Sequence, residues 1–156
     1  MLLNRDFKEF AQSLNAEGVE YLLVGGYALA AHGHPRYTGD IDFWVAPRAE
    51  NLQRVVLALH RFGFGSLGIK AEDFAPDFVV QLGHPPRRID LLTTIDGVDF
   101  DACFARRERV VIDGVELPII GIDDFKANKR ASGRAKDIAD LESLEPRSGV
   151  DDAVAD

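Results

Sequence analysis

Three aspartates carry the chemistry that this sequence could do. Asp40 and Asp42 alternate with Ile41 and Phe43 in an apolar run ending at Val45. A period of two puts both carboxylates on one face of a strand and Ile41, Phe43 and Val45 on the other. Side chains two apart on a strand are roughly 6–7 Å apart at Cα. That is close enough to share one metal ion or a pair of ions spaced about 3.5–4 Å. Without a cation the two carboxylates would repel, and one would have to stay protonated. Asp90 is the one acid in a second β-type run, Arg87 to Ile95. If that strand lies beside the first, Asp90 adds a third oxygen ligand.

An anion site is expected next to this pair. The apolar run Tyr21 to Val24 ends in Gly25 and Gly26 and gives way to an alanine-rich segment, which reads as strand, tight turn, helix. Backbone N–H groups at a helix N-terminus lack intrahelical partners, and two glycines let a phosphate chain approach them closely. Arg36 and Thr38 lead directly into Asp40. They read as a phosphate contact and a hydroxyl that orients an aspartate or a nucleotide, or as a solvated loop arginine and a turn residue. His32 and His34 flank the loop without a ligand-pair spacing and read as polar loop or helix-end residues.

The order of these features, a Gly-Gly turn, a helix, an Asp-x-Asp strand and a later single Asp on a strand, resembles the nucleotidyltransferase superfamily typified by DNA polymerase beta. Within it the chain is most similar to the small stand-alone bacterial nucleotidyltransferases related to AbiEii-type toxins. The segment Lys126 to Leu141 is similar to the Lys-rich, Arg-x-Lys-Asp-x-x-Asp-Leu stretch of those proteins. The resemblance spans most of residues 20 to 144. It implies an α/β (α+β) fold with a mixed central sheet flanked by helices, and C-terminal helices beyond it.

It also implies an EC 2.7.7-type enzyme that moves a nucleoside monophosphate from a nucleoside triphosphate such as ATP to a hydroxyl, releasing pyrophosphate. Asp40 and Asp42 would bridge two Mg²⁺ ions, with Mn²⁺ as an alternative, and Asp90 would bind the ion nearer the nucleophile and help take its proton. Gly25 and Gly26 would hold the β- and γ-phosphates. Lys126, Lys129, Arg130 and Arg134 would meet the triphosphate or a nucleic-acid backbone, the bland alternative being solvated surface charge. Asp137 and Asp140 are expected to pair with these bases or to hold the helix in place. The acceptor is an RNA end, a protein or a small molecule, and an antitoxin or a second copy of the chain is an expected partner. Two other readings share the same acids: a catalytically silent nucleotide-binding antitoxin or regulatory module, and a Mg²⁺-dependent phosphohydrolase.

The remaining elements must position these residues. Apolar positions at Phe7, Phe10, Ala11 and Leu14 predict an amphipathic helix over residues 4–17. Val19 to Val24 reads as a central strand buried on both faces. A third helix is expected from Pro47 and Arg48 through Leu59. Residues 65–78 give no assignment beyond a short helical turn near Ala71. Phe78 to Leu82 and the Asp90 strand, joined by a Gly/Pro connection, predict an antiparallel hairpin and therefore a mixed sheet. Residues 98–107 show no clear period, so Asp99 and Asp101 read as solvated charges. Asp113-Gly114 between two β runs predicts a second hairpin over residues 109–120. Asp123 is expected to cap a helix from 124 to 131. After Ser132-Gly133 a last helix runs from 134 to 144, with Ile138, Leu141 and Leu144 expected in the core.

Composition sets the bounds. A chain of 156 residues, 46% hydrophobic and 28% charged, is long enough for one domain with a real core and too short for two ordinary ones. One catalytic domain over residues 1–145 and an acidic, disordered tail over 146–156 are expected. The net charge of −8 argues against a surface that holds nucleic acid throughout, while bases cluster at Arg87-Arg88, Arg106-Arg107 and Lys126 to Lys136. The single cysteine, Cys103, reads as a small buried hydrophobe. No apolar run approaches a membrane span and no signal segment opens the chain, so a cytoplasmic protein without membrane contact is expected.

Overall fold

A computed structural model describes residues 3–74 and 79–144. The chain forms a six-stranded mixed sheet with helices on both faces, the expected α/β class. The strands in chain order are β1 (Tyr21–Val24), β2 (Asp40–Val45), β3 (Val79–Leu82), β4 (Arg88–Leu92), β5 (Glu108–Ile112) and β6 (Val115–Ile119). Their order across the sheet is β3-β4-β2-β1-β6-β5. β1 lies antiparallel to β2 and parallel to β6, and β2 lies parallel to β4. Both expected hairpins are present, β3 with β4 and β5 with β6, the second turning on Asp113-Gly114. Phe78 and the tail from 145 lie outside the described residues.

The alternation read from β2 decides what each face of the sheet holds. Ile41, Phe43 and Val45 join a core built with α1 (Arg5–Ala16) and α3 (Ala49–Phe62). Asn4 caps α1 by accepting from the Phe7 N–H at 2.8 Å. On the opposite face Trp44 packs edge-on against Phe100, with ring centroids 5.1 Å apart. It joins Ala28 and Leu29 of α2 (Gly25–Ala31), Phe100 and Cys103 of α4 (Phe100–Ala105) and Phe125 of α5 (Ile122–Ser132). Asp40 and Asp42 project from this second face, beyond the end of its apolar packing. The last helix is α6 (Ala135–Leu144).

Several expectations are corrected. α3 begins at Ala49 and runs to Phe62, three residues past Leu59, because Phe62 still packs on Phe10 with centroids 5.4 Å apart. The aperiodic 98–107 stretch contains α4, short enough to hide its period, and Asp99 caps it by accepting from the Ala102 N–H at 3.1 Å. Residue Gly121, not Asp123, precedes α5, and Asp123 lies in its first turn. In α6 the expected apolar stripe is only partly in place: Leu144 packs against the second core and Leu141 is half-buried. Ile138 is 48% exposed, while Asp137 and Asp140 are buried, since Arg36, Lys129 and the adjacent Arg134 meet those carboxylates.

Candidate active site

β2 and β4 run side by side with Asp40 opposite Arg88 and Asp42 opposite Asp90. In-register parallel partners point to the same face, so two strands about fifty residues apart deliver three carboxylates and one guanidinium to one spot. Oxygens of Asp40, Asp42 and Asp90 all lie within 4.8 Å of one another. Arg88 closes one side: Nε and Nη2 donate to the two oxygens of Asp90 at 2.9 and 3.0 Å, and Nη2 also donates to Asp40 Oδ2 at 3.1 Å. Thr38 Oγ1 donates to Asp40 Oδ1 at 3.2 Å and to the Asp40 carbonyl at 3.1 Å, so this hydroxyl orients an aspartate.

One guanidinium against three carboxylates leaves the group undercompensated, and the proton affinities show it. Burial pushes the Asp42 carboxyl up to about 8, helped by its hydrogen bond with Asp40 and the negative charges of Asp40 and Asp90. Burial also works against ionised Asp40, but hydrogen bonds from Asp42, Asp90 and Arg88 outweigh it and hold Asp40 at about 2. Burial raises Asp90, against the pull of Arg88. Three hard oxygen donors with unbalanced negative charge form a set that could hold a metal ion of the magnesium, manganese or calcium type.

The glycine turn is built against this group. Gly25 opens α2 with φ +69°, a left-handed conformation that costs other residues roughly 1–2 kcal/mol, and a Cβ there would overlap Asp42 Oδ2. A Cβ at Gly26 would come within 2.9 Å of Thr38 Cβ and 3.0 Å of Arg36 Nη1. From this turn a cleft of ≈ 290 Å³ extends past Asp42, Thr94 and Asn128 to Lys129 and Arg134. Asn128 donates to the Asp96 carbonyl at 2.9 Å, fixing α5 to the cleft wall.

The family is readable at this point in a second way. Residues 3–151 match the family model described as nucleotidyl transferase of unknown function (DUF2204). The chain belongs to that family. Two solved structures share the fold of this nucleotidyltransferase-family chain. One is a candidate nucleotidyltransferase from Thermotoga maritima, 14% identical, with a TM-score of 0.58, covering 97% of this chain and 96% of its own. The other is an antigenic nucleotidyltransferase-like protein from Paracoccidioides brasiliensis, 19% identical, with a TM-score of 0.53, covering 91% of this chain and 76% of its own. A search of curated proteins gave no match.

Within this nucleotidyltransferase-family fold the sequence-predicted residues divide into two groups. Asp40, Asp42, Asp90, Gly25, Gly26 and Thr38 are together, on β2, β4, the first turn of α2 and the loop that enters β2. Lys129 and Arg134 line the cleft but are already held by carboxylates: Lys129 Nζ lies 3.2 Å from Asp137 Oδ1, and Arg134 Nε lies 2.8 Å from Asp137 Oδ2. Arg36 is bound by Asp140, at 2.7 Å from Nε and 3.0 Å from Nη2. Lys126 is half-buried and Arg130 exposed, and neither is among the described residues that line the cleft. His32 is a helix-end residue whose Nε2 lies 2.7 Å from the Ile120 carbonyl. Arg88 is the site residue that sequence reasoning missed. Its signal was the Arg-x-Asp spacing, which puts Arg88 on the face of Asp90.

Among the described residues no helix is long and apolar enough to cross a membrane.

Proposed function

We propose that the protein transfers a nucleoside monophosphate from a nucleoside triphosphate to a hydroxyl acceptor with release of pyrophosphate. The observation that carries this is the convergence of three carboxylates, with oxygens within 4.8 Å of one another, beside a turn where a Cβ at Gly25 would overlap Asp42. First-turn backbone N–H groups of a helix lack intrahelical partners, and in this reading those of α2 would meet phosphate oxygens. Asp40, Asp42 and Asp90 would hold divalent cations, read as two Mg²⁺. When bound, these would neutralise the triphosphate and lower the pKa of the attacking hydroxyl.

The chain's own residues then have separable tasks. Gly25 and Gly26 admit the β- and γ-phosphates, Thr38 fixes the Asp40 carboxylate, and Lys129 and Arg134 bring N–H donors to the cleft beside Asp96. Asp90, on β4, accepts the proton of the attacking hydroxyl as its oxygen bonds to the α-phosphorus. The bond from that phosphorus to the pyrophosphate oxygen breaks. The acceptor is an RNA end, a protein or a small molecule. A toxin–antitoxin role is supported by the resemblance of the Lys126 to Leu141 segment.

Incubation with each α-labelled triphosphate, Mg²⁺ and a cell extract tests the reading. Wild-type protein is expected to release pyrophosphate and label an acceptor, and Asp42→Ala to do neither while keeping its fold. Equal labelling by the variant would refute the carboxylate site. One observation favours a second reading, a silent nucleotide-binding module: Arg88 already bridges Asp40 and Asp90 as a resident cation. Mg²⁺-dependent nucleotide binding without pyrophosphate release would select it, and release of inorganic phosphate or nucleoside monophosphate with nothing labelled would point instead to a hydrolase.

A further inference from the structure

The chemistry proposed above makes no use of the two buried carboxylates of α6. Asp137 and Asp140 are three apart on the helix and so share one face. Each holds an arginine, Asp140 one that is distant in sequence and Asp137 one three residues before it. Asp140, 3% exposed, lies under Arg36, which is 104 residues away in sequence and donates to it through both Nε and Nη2. Asp137, 0% exposed, accepts from Arg134 Nε and from the Arg134 backbone N–H. Lys129 sits between them, 3.2 Å from Asp137 and 3.9 Å from Asp140.

Burying these charges costs several kcal/mol per ion before pairing offsets it, and α6 does so while leaving Ile138 at the surface. A helix that only needed to pack would have buried the isoleucine. What the arrangement achieves is orientation. Arg36 Nη1 also donates to the Tyr37 carbonyl at 3.0 Å, so three of the five N–H groups of a guanidinium are engaged and two remain unengaged among the described residues. The same Nη1 faces Gly26, 3.0 Å from where a Cβ would stand. Arg134 lines the cleft that also holds Gly25 and Asp42.

We propose that Asp140 is a positioning residue for polyphosphate: through Arg36 it fixes a guanidinium fork beside the glycine turn, and Asp137 does the same for Arg134, which lines the cleft with Gly25. The two arms take the phosphate chain of the triphosphate. This deepens the transferase reading and rests on it.

Calorimetric titration of the full chain with inorganic tripolyphosphate, and with ATP and Mg²⁺, tests it in wild type, Asp140→Asn, Arg36→Ala and the double variant. Loss of a fixed charge-assisted fork should weaken both probes by about tenfold in Asp140→Asn. In transfer assays the KM for the triphosphate should rise by the same factor while kcat changes by less than about threefold. Because Asp140 acts through Arg36, adding Asp140→Asn to Arg36→Ala should change nothing further. Unchanged affinity in Asp140→Asn, or effects that add in the double variant, would overturn the clamp alone. A wild-type protein that binds neither probe would overturn the clamp and the transferase reading together. Should Asp140→Asn fail to fold, Arg36→Lys keeps the charge and loses the fork. It should show the same tenfold weakening, and wild-type affinity there would overturn the proposal.

Discussion

Replacing Asp42 by asparagine should stabilise the metal-free protein while ending transfer. The carboxyl is pushed up from 3.8 to about 8, first by burial and then by its hydrogen bond with Asp40 and the charges of Asp40 and Asp90. A group whose pKa is raised in the folded state makes its full contribution below its unfolded value, and loses it as the pH climbs through the folded one. At pH 7 roughly three pH units separate the solution from the unfolded value, and about 1.4 kcal/mol for each sets a ceiling of about 4 kcal/mol. Solvent in the open cleft screens part of this, leaving about 2 kcal/mol. Asp40, held at about 2, contributes with the opposite sign, losing its stabilisation as the pH falls below 3.8. An asparagine amide can still donate to it, so that contribution cancels between the two proteins.

For a chain of 156 residues a gain of that size raises Tm by roughly 4–8 °C. Thermal melts in EDTA from pH 4 to 8.5 are the assay. The two proteins should melt together near pH 4 and diverge as the pH rises towards 8, the asparagine variant melting higher. Saturating Mg²⁺ should then raise the wild type and leave the variant unmoved. A difference independent of pH, or a variant less stable than wild type at pH 7 in EDTA, would refute the charge argument.

Gly25→Ala meets both a left-handed backbone and the Asp42 carboxylate; it should cost about 1–3 kcal/mol in denaturant melts and abolish the Mg²⁺-induced rise in Tm. Arg88→Gln removes the one cation that touches both Asp40 and Asp90 among the described residues. The metal-free protein should lose about 1–3 kcal/mol, and Mg²⁺ should restore a larger share of stability than it adds to wild type, as read from paired melts. Burial opposes ionisation of Asp137, but Arg134 and Lys129 outweigh it and hold this carboxyl below 3.8. Its contribution is therefore present above 3.8 and lost as the pH falls below it, and Asp137→Asn should flatten that acid limb of the stability profile.

The sequence exposed the site where the information was local and hid it where pairing was long-range. The Asp40-Ile41-Asp42-Phe43 alternation states its two faces outright, and the apolar Tyr21 to Val24 run, closed by two glycines, reads as a strand covered on both sides, so the floor of the site was legible. Arg88 was legible in principle, two residues before Asp90, but a charged residue near a Gly/Pro connection reads as solvated until the register opposite Asp40 is known. α6 was partly misread for a related reason. Ile138, Leu141 and Leu144 have helical spacing, and only the approach of Lys129, Arg134 and the distant Arg36 makes burial of Asp137 and Asp140 affordable.

These two charge groups bear on each other. The floor carries three carboxylates against Arg88, and with Asp42 pushed up to about 8 it still holds net negative charge at neutral pH. The group around α6 sets Arg36, Lys129 and Arg134 against Asp137 and Asp140, an excess of one positive charge, although Asp96 also lines the cleft that Lys129 and Arg134 reach. A bare triphosphate is therefore attracted by one side and repelled by the other. A divalent cation at the floor reverses the repulsion and, by favouring ionised Asp42, is bound with release of a proton. Nucleotide affinity should thus depend on the cation and on pH through the same carboxylate. Without the cation the group around α6 alone would hold a polyanion weakly and with steep salt dependence.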